Sequence, residues 1–170
     1  MSNINKQDER CHSLGVGGFC FHEDKVLLVK HISGAAQNQW CQPGGYVTVG
    51  EVLTDAVERE ILEETGIKTK AKNLVMIRHF TRESKTRGLV SDILLIYCVS
   101  YLDGEPKADL EEVEEAKFIP ITALDDYPLT NLCRTMINII LSGKGLELID
   151  YSPPKEVIEK LFIKKYQLFG

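Results

Sequence analysis

The sequence predicts an α/β fold, because stretches rich in β-branched and aromatic residues alternate with segments of helical periodicity. The chain has 170 residues, of which 44% are hydrophobic, and this is enough to bury one core. It contains no internal repeat and no shift in composition that would mark a second unit. We therefore expect a single domain over residues 1–170.

Composition and charge exclude several classes of protein. No apolar run is long enough to span a membrane, and the polar start MSNINKQDER lacks a secretory signal, so we expect a cytoplasmic protein. The net charge is −5 with scattered basic residues, which argues against nucleic acid as a partner. Reduced thiols are expected rather than a disulfide framework or a zinc site, because five cysteines lack CxxC spacing: Cys11, Cys20, Cys41, Cys98 and Cys133.

The first half of the chain predicts a hairpin, a short strand and a helix. SLGVGGFCF and KVLLVKH are typical of two strands around the turn-like HED. After the loop ISGAAQNQ, the turn-rich WCQPGGYVTVG contains a short strand at about residues 45–47. A helix is expected over about residues 51–65, and Gly66 fits its C-terminal cap.

The second half predicts a longer hairpin, a strand and two helices. The runs NLVMIRHFT and LVSDILLIYCVSYL are joined by the exposed basic loop RESKTRG. A carboxylate-rich loop, DGEPKADLEEVEE, precedes the strand AKFIPI. Helical patterns cover about residues 130–141 and about residues 153–166, where Pro154 fits a first helical turn.

The first predicted helix contains two acids, Glu60 and Glu64, in the middle of its apolar stripe when residues are spaced about 100° apart. A solvated acidic face fits this placement poorly. Partly buried carboxylates must be protonated, paired or bound to metal, and Arg59 alone cannot neutralise these two and Glu63. Oxygen ligands suit magnesium or manganese. The stripe itself is formed by Leu53, Ala56, Val57 and Ile61.

Residues 45–67 match the Nudix box, G-x5-E-x7-R-E-U-x-E-E-x-G-U, where U is a bulky aliphatic residue. Every defined position is present: Gly45, Glu51, Arg59, Glu60, Ile61, Glu63, Glu64, Gly66 and Ile67. Together with the flanking WCQPGG and EEAKFIPI, this stretch gives the chain a resemblance to the Nudix hydrolase family over about residues 12–142.

The resemblance implies an α/β/α sandwich with a mixed sheet, its core at about residues 12–142 and a helical extension beyond. Members hydrolyse a nucleoside diphosphate linked to another moiety X, and they use Mg²⁺ or Mn²⁺. Nucleotide sugars, ADP-ribose-like compounds and (d)NTPs all stay open as the small-molecule substrate, because the subgroup markers for ADP-ribose, NADH and dinucleoside polyphosphates are absent. The alternative is a non-catalytic nucleotide sensor or interaction module on the same fold.

Carried over by position, the resemblance implies that Glu60, Glu64 and the Gly45 carbonyl ligate the metal. Glu63 would be a further ligand or the base that activates water. Arg59 would orient the glutamates.

Two acids could pair with Arg59. Glu51 is favoured over Asp55, the residue one helical turn before Arg59, although each has an ordinary structural interpretation near a helix start.

Outside the box, Glu112 is expected as a further ligand or base, and the other acids of the same loop stay open as replacements: Glu111, Glu114 and Glu115. Basic side chains are candidates for binding phosphate or X, each with solvation as the alternative: Lys30, Arg78, Arg82, Lys85 and Arg87. Trp40 either stacks on a base or packs in the core.

The C-terminal segment from Pro154 is expected to form an amphipathic helix. Its apolar face would pack on the domain or on a second subunit, and a homodimer is favoured because the core is complete without it.

Overall fold

The computed structural model describes residues 12–84, 88–143 and 146–170. Within these ranges the chain forms one mixed sheet and three α-helices, in the order β1 (His12–His22), β2 (Lys25–His31), β3 (Trp40–Cys41), β4 (Gly44–Tyr46), α1 (Leu53–Thr65), β5 (Lys68–Ser84), β6 (Gly88–Asp103), β7 (Val113–Pro120), a 3-10 helix (Ile121–Asp126), α2 (Asn131–Ser142), β8 (Leu148–Ile149), α3 (Lys155–Leu161) and β9 (Ile163–Phe169).

The sheet runs β3-β2-β1-β6-β5-β9-β8, with β4 paired to β1 and β7 paired to β2. Strands β1 and β6 are parallel, and the other neighbours are antiparallel. This mixture follows from the chain order, because each hairpin gives an antiparallel pair while β1 and β6 are joined by a long crossover.

Strand β1 is buried on both faces, which explains its continuous apolar sequence. Val16 and Cys20 pack in the same cluster as Ile61 of α1. Phe19, on the opposite face, packs in the cluster that contains Met136 of α2. The sheet therefore lies between two helical layers, and the predicted α/β/α sandwich is confirmed.

Both predicted hairpins are present. The first turns at Glu23 and Asp24, which have positive φ angles of 48° and 57°. Helix α1 begins at Leu53, two residues later than predicted, and Gly66 caps it in the left-handed conformation with φ 70°. None of the helices in the described ranges is long and apolar enough to cross a bilayer.

The second hairpin is longer than the predicted strands. Strands β5 and β6 remain paired as far as Ser84, which lies opposite Gly88. Arg82 therefore lies within β5, opposite Val90, and not in an exposed loop. Lys85 and Arg87 lie outside the described residues. Strand β7 also starts earlier than predicted, at Val113, because it follows β2 as far as His31.

The prediction of one helix over about residues 153–166 is wrong. Helix α3 ends at Leu161, where Phe162 adopts a left-handed conformation with φ 54°. The following residues form β9, antiparallel to β5. Tyr166 and Leu168 are spaced two residues apart, as in a strand. Pairing of this segment with the edge of the sheet at β5 outweighs its intrinsic helix propensity. The expected homodimer stays a prediction.

Candidate active site

The box residues meet where α1 faces the loop that enters it. Arg59 lies at the centre of this contact and donates Nε and Nη2 to the two carboxylate oxygens of Glu51, at 2.8 and 2.9 Å. This is the ion pair favoured from the sequence. The fork geometry of guanidinium suits such a two-point contact. The Arg59 hydrogen bonds hold the pKa of Glu51 down to about 2, helped by the Thr48 backbone N–H.

Arg59 also reaches the other acids of its helix. Its Nη1 donates to Glu60 Oε1 at 2.8 Å and to Glu63 Oε2 at 2.9 Å, and its Nη2 donates to the Tyr46 carbonyl at 3.2 Å. The hydrogen bond with Glu51 is the main reason that the pKa of Arg59 lies above its ordinary value. One cation therefore orients three carboxylates and fixes α1 to the preceding loop.

Glu64 is the most deeply buried of these acids, with 2% of its surface exposed. Its Oε2 accepts the backbone N–H of Gly44 at 2.8 Å, whereas its Oε1 is buried and has no hydrogen-bond partner among the described residues. Burial raises the pKa of Glu64 to about 8, and the charges of Glu60, Glu112 and Asp109 add to this effect. The placement of Glu64 in the apolar stripe, expected from the sequence, agrees with this burial.

The two glycines before α1 allow close contacts, Gly45 with the Glu60 carboxylate and Gly44 with the backbone of β1. A Cβ on Gly45 would lie 2.4 Å from Glu60 Oε2, and a Cβ on Gly44 would lie 2.2 Å from the Val16 carbonyl oxygen. Gly44 also has a φ of 153°, which other residues rarely adopt. Glu60 is itself mostly buried, and burial outweighs its bond to Arg59 and raises its pKa.

The acidic loop before β7 lies close to this cluster. Glu112 is exposed, and its negative charge raises the pKa values of Glu60 and Glu64. Asp109, which the sequence analysis missed, shapes the loop: its Oδ1 accepts the backbone N–H groups of Glu111, Glu112 and Val113. The sequence signal was the Asp residue itself within a loop, because Asp side chains often accept the backbone N–H groups of the residues that follow them, as in an Asx turn.

These groups fit a hard divalent cation. The buried Glu64, which has one unmet oxygen among the described residues, and the half-buried Glu60 lie on one helix, and all of the candidate ligand atoms are oxygens. Within the described ranges, no three His, Cys, Asp or Glu side chains already converge in a metal-ligating arrangement. The fit therefore rests on the unmet oxygen of Glu64 and its close neighbour Glu60, not on a preformed ligand cluster.

Two predicted substrate-binding residues are engaged elsewhere. Lys30 forms ion pairs with Glu114 at 2.9 Å and with Glu115 at 3.6 Å, which removes both acids as free replacements for Glu112. Trp40 is 3% exposed and packs edge-on against Tyr127. A ring buried in this way has no face open to a base, so the packing alternative describes Trp40.

The two arginines of β5 differ in their surroundings. Arg82 donates its Nε to Asp92 Oδ2 at 2.5 Å, and the Ser13 hydroxyl donates to the same carboxylate. Arg78 instead lines a cavity of about 440 Å³, and its buried Nε has no hydrogen-bond partner in the part of the chain that the structure describes. The structure thus brings Arg78 near an open site and holds Arg82 in an internal ion pair.

Comparisons with known proteins agree with this geometry. The Nudix domain family model matches residues 12–138. An ADP-ribose pyrophosphatase of Methanocaldococcus jannaschii is 32% identical over 112 residues, which cover 66% of this chain and 64% of that protein. Nudix hydrolase 6 of Arabidopsis thaliana is 33% identical over 147 residues, covering 82% and 50%. The chain spans about one third to two thirds of the length of the first curated relatives that it matches.

A solved NUDIX hydrolase from Nitrosomonas europaea has the same fold, with a TM-score of 0.62 and 23% identity, covering 82% of this chain and 97% of that one. The match of the family model over most of the chain, together with the complete box on α1, settles the classification. The chain belongs to the Nudix hydrolase family.

Proposed function

We propose that the protein is a metal-dependent diphosphatase that hydrolyses a nucleoside diphosphate linked to another moiety X. The observation that carries this proposal is Glu64, a buried carboxylate with one unmet oxygen beside Glu60. Carboxylates whose pKa is raised by burial and by neighbouring charges occur mainly at functional sites. The name of the archaeal relative, ADP-ribose pyrophosphatase, places ADP-ribose first among the compounds to test.

Nudix hydrolases generally need a divalent metal, and we propose Mg²⁺ or Mn²⁺ for this chain. Glu60, Glu64 and the Gly45 carbonyl would hold the ion, with Glu112 as a further ligand or as a base. When bound, the ion supplies charge neutralisation for the diphosphate and lowers the pKa of the attacking water.

The chain's own residues then have separate tasks. Arg59 is a positioning residue, because its bonds to Glu51, Glu60 and Glu63 fix the directions of the carboxylates. Glu63 and Glu112 are the two candidates for the general base. Glu112 is favoured, because the Glu63 carboxylate is bound to Arg59 whereas no described cation pairs with Glu112.

In the proposed reaction, the oxygen of water attacks one phosphorus of the diphosphate and the bridging oxygen leaves with its electron pair. The carboxylate base accepts the proton of the water. The products are a nucleoside phosphate and a phosphorylated X, so atoms and charge balance without any redox partner.

A substrate panel tests the proposal. ADP-ribose, NADH, a UDP-sugar, a dinucleoside polyphosphate and a dNTP are each incubated with Mg²⁺, and phosphate is measured after a phosphatase converts the monoester products. Turnover of at least one compound, lost in excess chelator and restored by Mg²⁺ or Mn²⁺, is expected. Turnover that persists in excess chelator would contradict metal dependence.

Glu64→Gln sharpens the test, with Glu58→Gln as its matched control. Glu58 is on the same helix but binds the Ala71 N–H and Lys70, away from the cluster. On the compound that is turned over, Glu64→Gln should lower kcat on the order of 10³-fold, and Glu58→Gln should lower it less than about 2-fold. Equal effects of the two substitutions would remove Glu64 from the proposed site.

The non-catalytic alternative predicts a different result in the same panel. A sensor on this fold would bind a panel compound, detected by calorimetry, without hydrolysing it. The intact box makes this outcome the less expected one, since every proposed ligand oxygen is present.

A further inference from the structure

Residues 104–112 connect β6 to β7 and carry Glu112, the favoured base of the proposed reaction. The backbone N–H of Lys107, within this connection, donates to the Thr65 carbonyl at 2.8 Å. Thr65 is the last residue of α1 and directly follows Glu64. The first half of the connection is therefore bound to the helix that carries the buried carboxylate.

The second half of the connection folds around one side chain, that of Asp109. Its Oδ1 accepts three successive backbone N–H groups, those of Glu111 at 2.9 Å and of Glu112 and Val113 at 3.1 Å. The Leu110 N–H donates to the Val113 carbonyl at 3.1 Å, and Leu110 has a φ of 65°. Leucine rarely adopts this left-handed conformation unless its surroundings hold it there. The Asp109 carboxylate is the side chain that closes this turn.

The carbonyl group of Glu112 is also fixed. It accepts the backbone N–H of Ile32 at 3.1 Å, directly after the point where β7 pairs with the end of β2. Both polar groups of the Glu112 backbone thus have a defined partner, Asp109 for the N–H and Ile32 for the carbonyl. A main chain held at both groups fixes the direction in which the Glu112 Cα–Cβ bond leaves the loop.

The acids that follow Glu112 are held in a different way. Lys30 binds Glu114 at 2.9 Å and Glu115 at 3.6 Å, and both acids belong to β7. Glu112 has no ion pair of this kind among the described residues, and its negative charge acts on Glu64 instead. Because the interaction of two charges weakens with distance, this effect indicates that the Glu112 carboxylate is close to the acids of α1.

We propose that Asp109 is a positioning residue of the proposed reaction, which fixes the loop backbone so that the Glu112 carboxylate is directed at the acids of α1. Asp109 acts through Glu112 and contacts neither the substrate nor the metal. It contributes a hydrogen-bond acceptor and not its charge, because the partners of its Oδ1 are all backbone N–H groups. This inference rests on the proposed diphosphatase function for the task of Glu112.

Two substitutions separate the hydrogen bonds of Asp109 from its charge. Asp109→Ala removes the acceptor, whereas Asp109→Asn keeps an amide oxygen in its place. On the compound that is turned over, Asp109→Ala should lower kcat by about 10–100-fold and change KM less than about 3-fold, because a misdirected Glu112 affects the chemical step. Asp109→Asn should keep kcat within about 3-fold of wild type. If Asp109→Asn loses as much activity as Asp109→Ala, the charge of Asp109 takes part directly and the proposal is wrong.

Asp103→Ala is the matched control. Asp103 is the last residue of β6, directly before the same connection, and its carboxylate pairs with Lys68 at 3.7 Å on the surface. Exposed pairs of this kind contribute little, so Asp103→Ala should change kcat less than about 2-fold. A loss equal to that in Asp109→Ala would show that any disturbance of this connection lowers activity, and the specific role of Asp109 would be refuted.

A double-mutant cycle tests whether Asp109 acts through Glu112. Glu112→Gln alone should lower kcat by about 100-fold or more. Adding Asp109→Ala to this variant should lower kcat less than about 2-fold further, because the group that Asp109 directs is then already lost. If the effects of the two substitutions multiply, Asp109 acts by another route and the proposal is overturned.

Amide hydrogen exchange in the metal-free protein tests the hold on the loop without any activity. The amides of Glu111, Glu112 and Val113 should exchange at least about 10-fold faster in Asp109→Ala than in wild type, because each loses its acceptor. In Asp109→Asn they should exchange as in wild type. Unchanged exchange of these amides in Asp109→Ala would refute the proposal.

The two proposals fail in different ways. If wild type hydrolyses no compound in the panel, the diphosphatase is lost, and the exchange rates alone decide whether Asp109 holds the loop. If wild type hydrolyses a compound and Asp109→Ala keeps the wild-type kcat, the diphosphatase stands and the proposal for Asp109 is refuted.

Discussion

The carboxylate cluster on α1 and the cavity beneath the C-terminal segment are electrostatic opposites. In the first, Arg59 pairs with the half-buried Glu60, whereas burial favours the protonated form of the neighbouring Glu64. In the second, the half-buried Arg78 has no acid in ion-pair distance among the described residues, and burial lowers its pKa. The first site thus contains acids with too few cations nearby, and the second contains a cation with no acid nearby among the described residues. The first site suits a divalent cation, whereas the second has a positive charge beside a cavity.

The largest expected effect concerns stability without metal. The pKa of Glu64 is raised to about 8 from its ordinary 4.5, so its protonated form is the one that the fold favours. The penalty is absent below pH 4.5 and grows as pH rises to 8. The metal-free wild type should therefore lose about 3–5 kcal/mol relative to Glu64→Gln over that range. The amide oxygen introduced by Glu64→Gln can still accept the Gly44 N–H.

Urea unfolding of both proteins in chelator at pH 5, 7 and 8.5 measures this gap. Saturating Mg²⁺ should close or reverse the gap at pH 8.5, because the carboxylate is then paired. If the difference in unfolding free energy between the two proteins does not change with pH, the pKa of Glu64 is not raised by the fold. The contrast drawn between the two sites would then be wrong for the acidic site.

The next effect concerns the single cation of the acidic site. Arg59→Lys keeps the charge but cannot bind Glu51, Glu60 and Glu63 together, because a lysine ammonium lacks the planar fork. The kcat should fall by about 10–100-fold, with KM changed much less. A KM effect larger than the kcat effect would show that Arg59 contacts substrate and is not a positioning residue.

The smallest effect separates the two arginines of β5. Arg82→Ala removes the arginine that pairs with the buried Asp92, which keeps its hydrogen bond from the Ser13 hydroxyl, and should destabilise the fold by about 1–3 kcal/mol. Because Arg82 does not line the cavity, KM and kcat should stay within about 2-fold of wild type. A clear rise in KM would return Arg82 to the substrate-binding residues expected from the sequence.

The acidic site was predictable because its residues lie in one stretch. Residues 45–67 carry a fixed spacing, and helical geometry alone places Glu60 and Glu64 on the buried face of α1. The Arg59–Glu51 pair followed from the same helix and the loop before it. Local sequence determines local geometry here, so the pattern was sufficient.

The cavity was not predictable, because its walls come from parts of the chain as distant as Ala35 and Tyr166. One of these walls depends on β9, which the sequence analysis treated as helix, and Tyr166 lines the cavity because β9 pairs with β5. Strand pairing at a sheet edge is a long-range choice that local propensity does not reveal. The surroundings of Trp40 and Lys30 were not predictable for the same reason, since packing against Tyr127 and pairing with Glu114 are tertiary contacts.

The central claim is that Glu64 is buried for a divalent cation. Calorimetric titration of Mn²⁺ and Mg²⁺ into metal-free wild type, Glu64→Gln and Glu58→Gln at pH 7.5 tests it most directly, without any substrate. Wild type and Glu58→Gln should bind the ion with similar affinity and release protons as Glu64 ionises. Glu64→Gln should bind at least about 10-fold more weakly and release fewer protons. Equal affinity and equal proton release in all three proteins would contradict the claim.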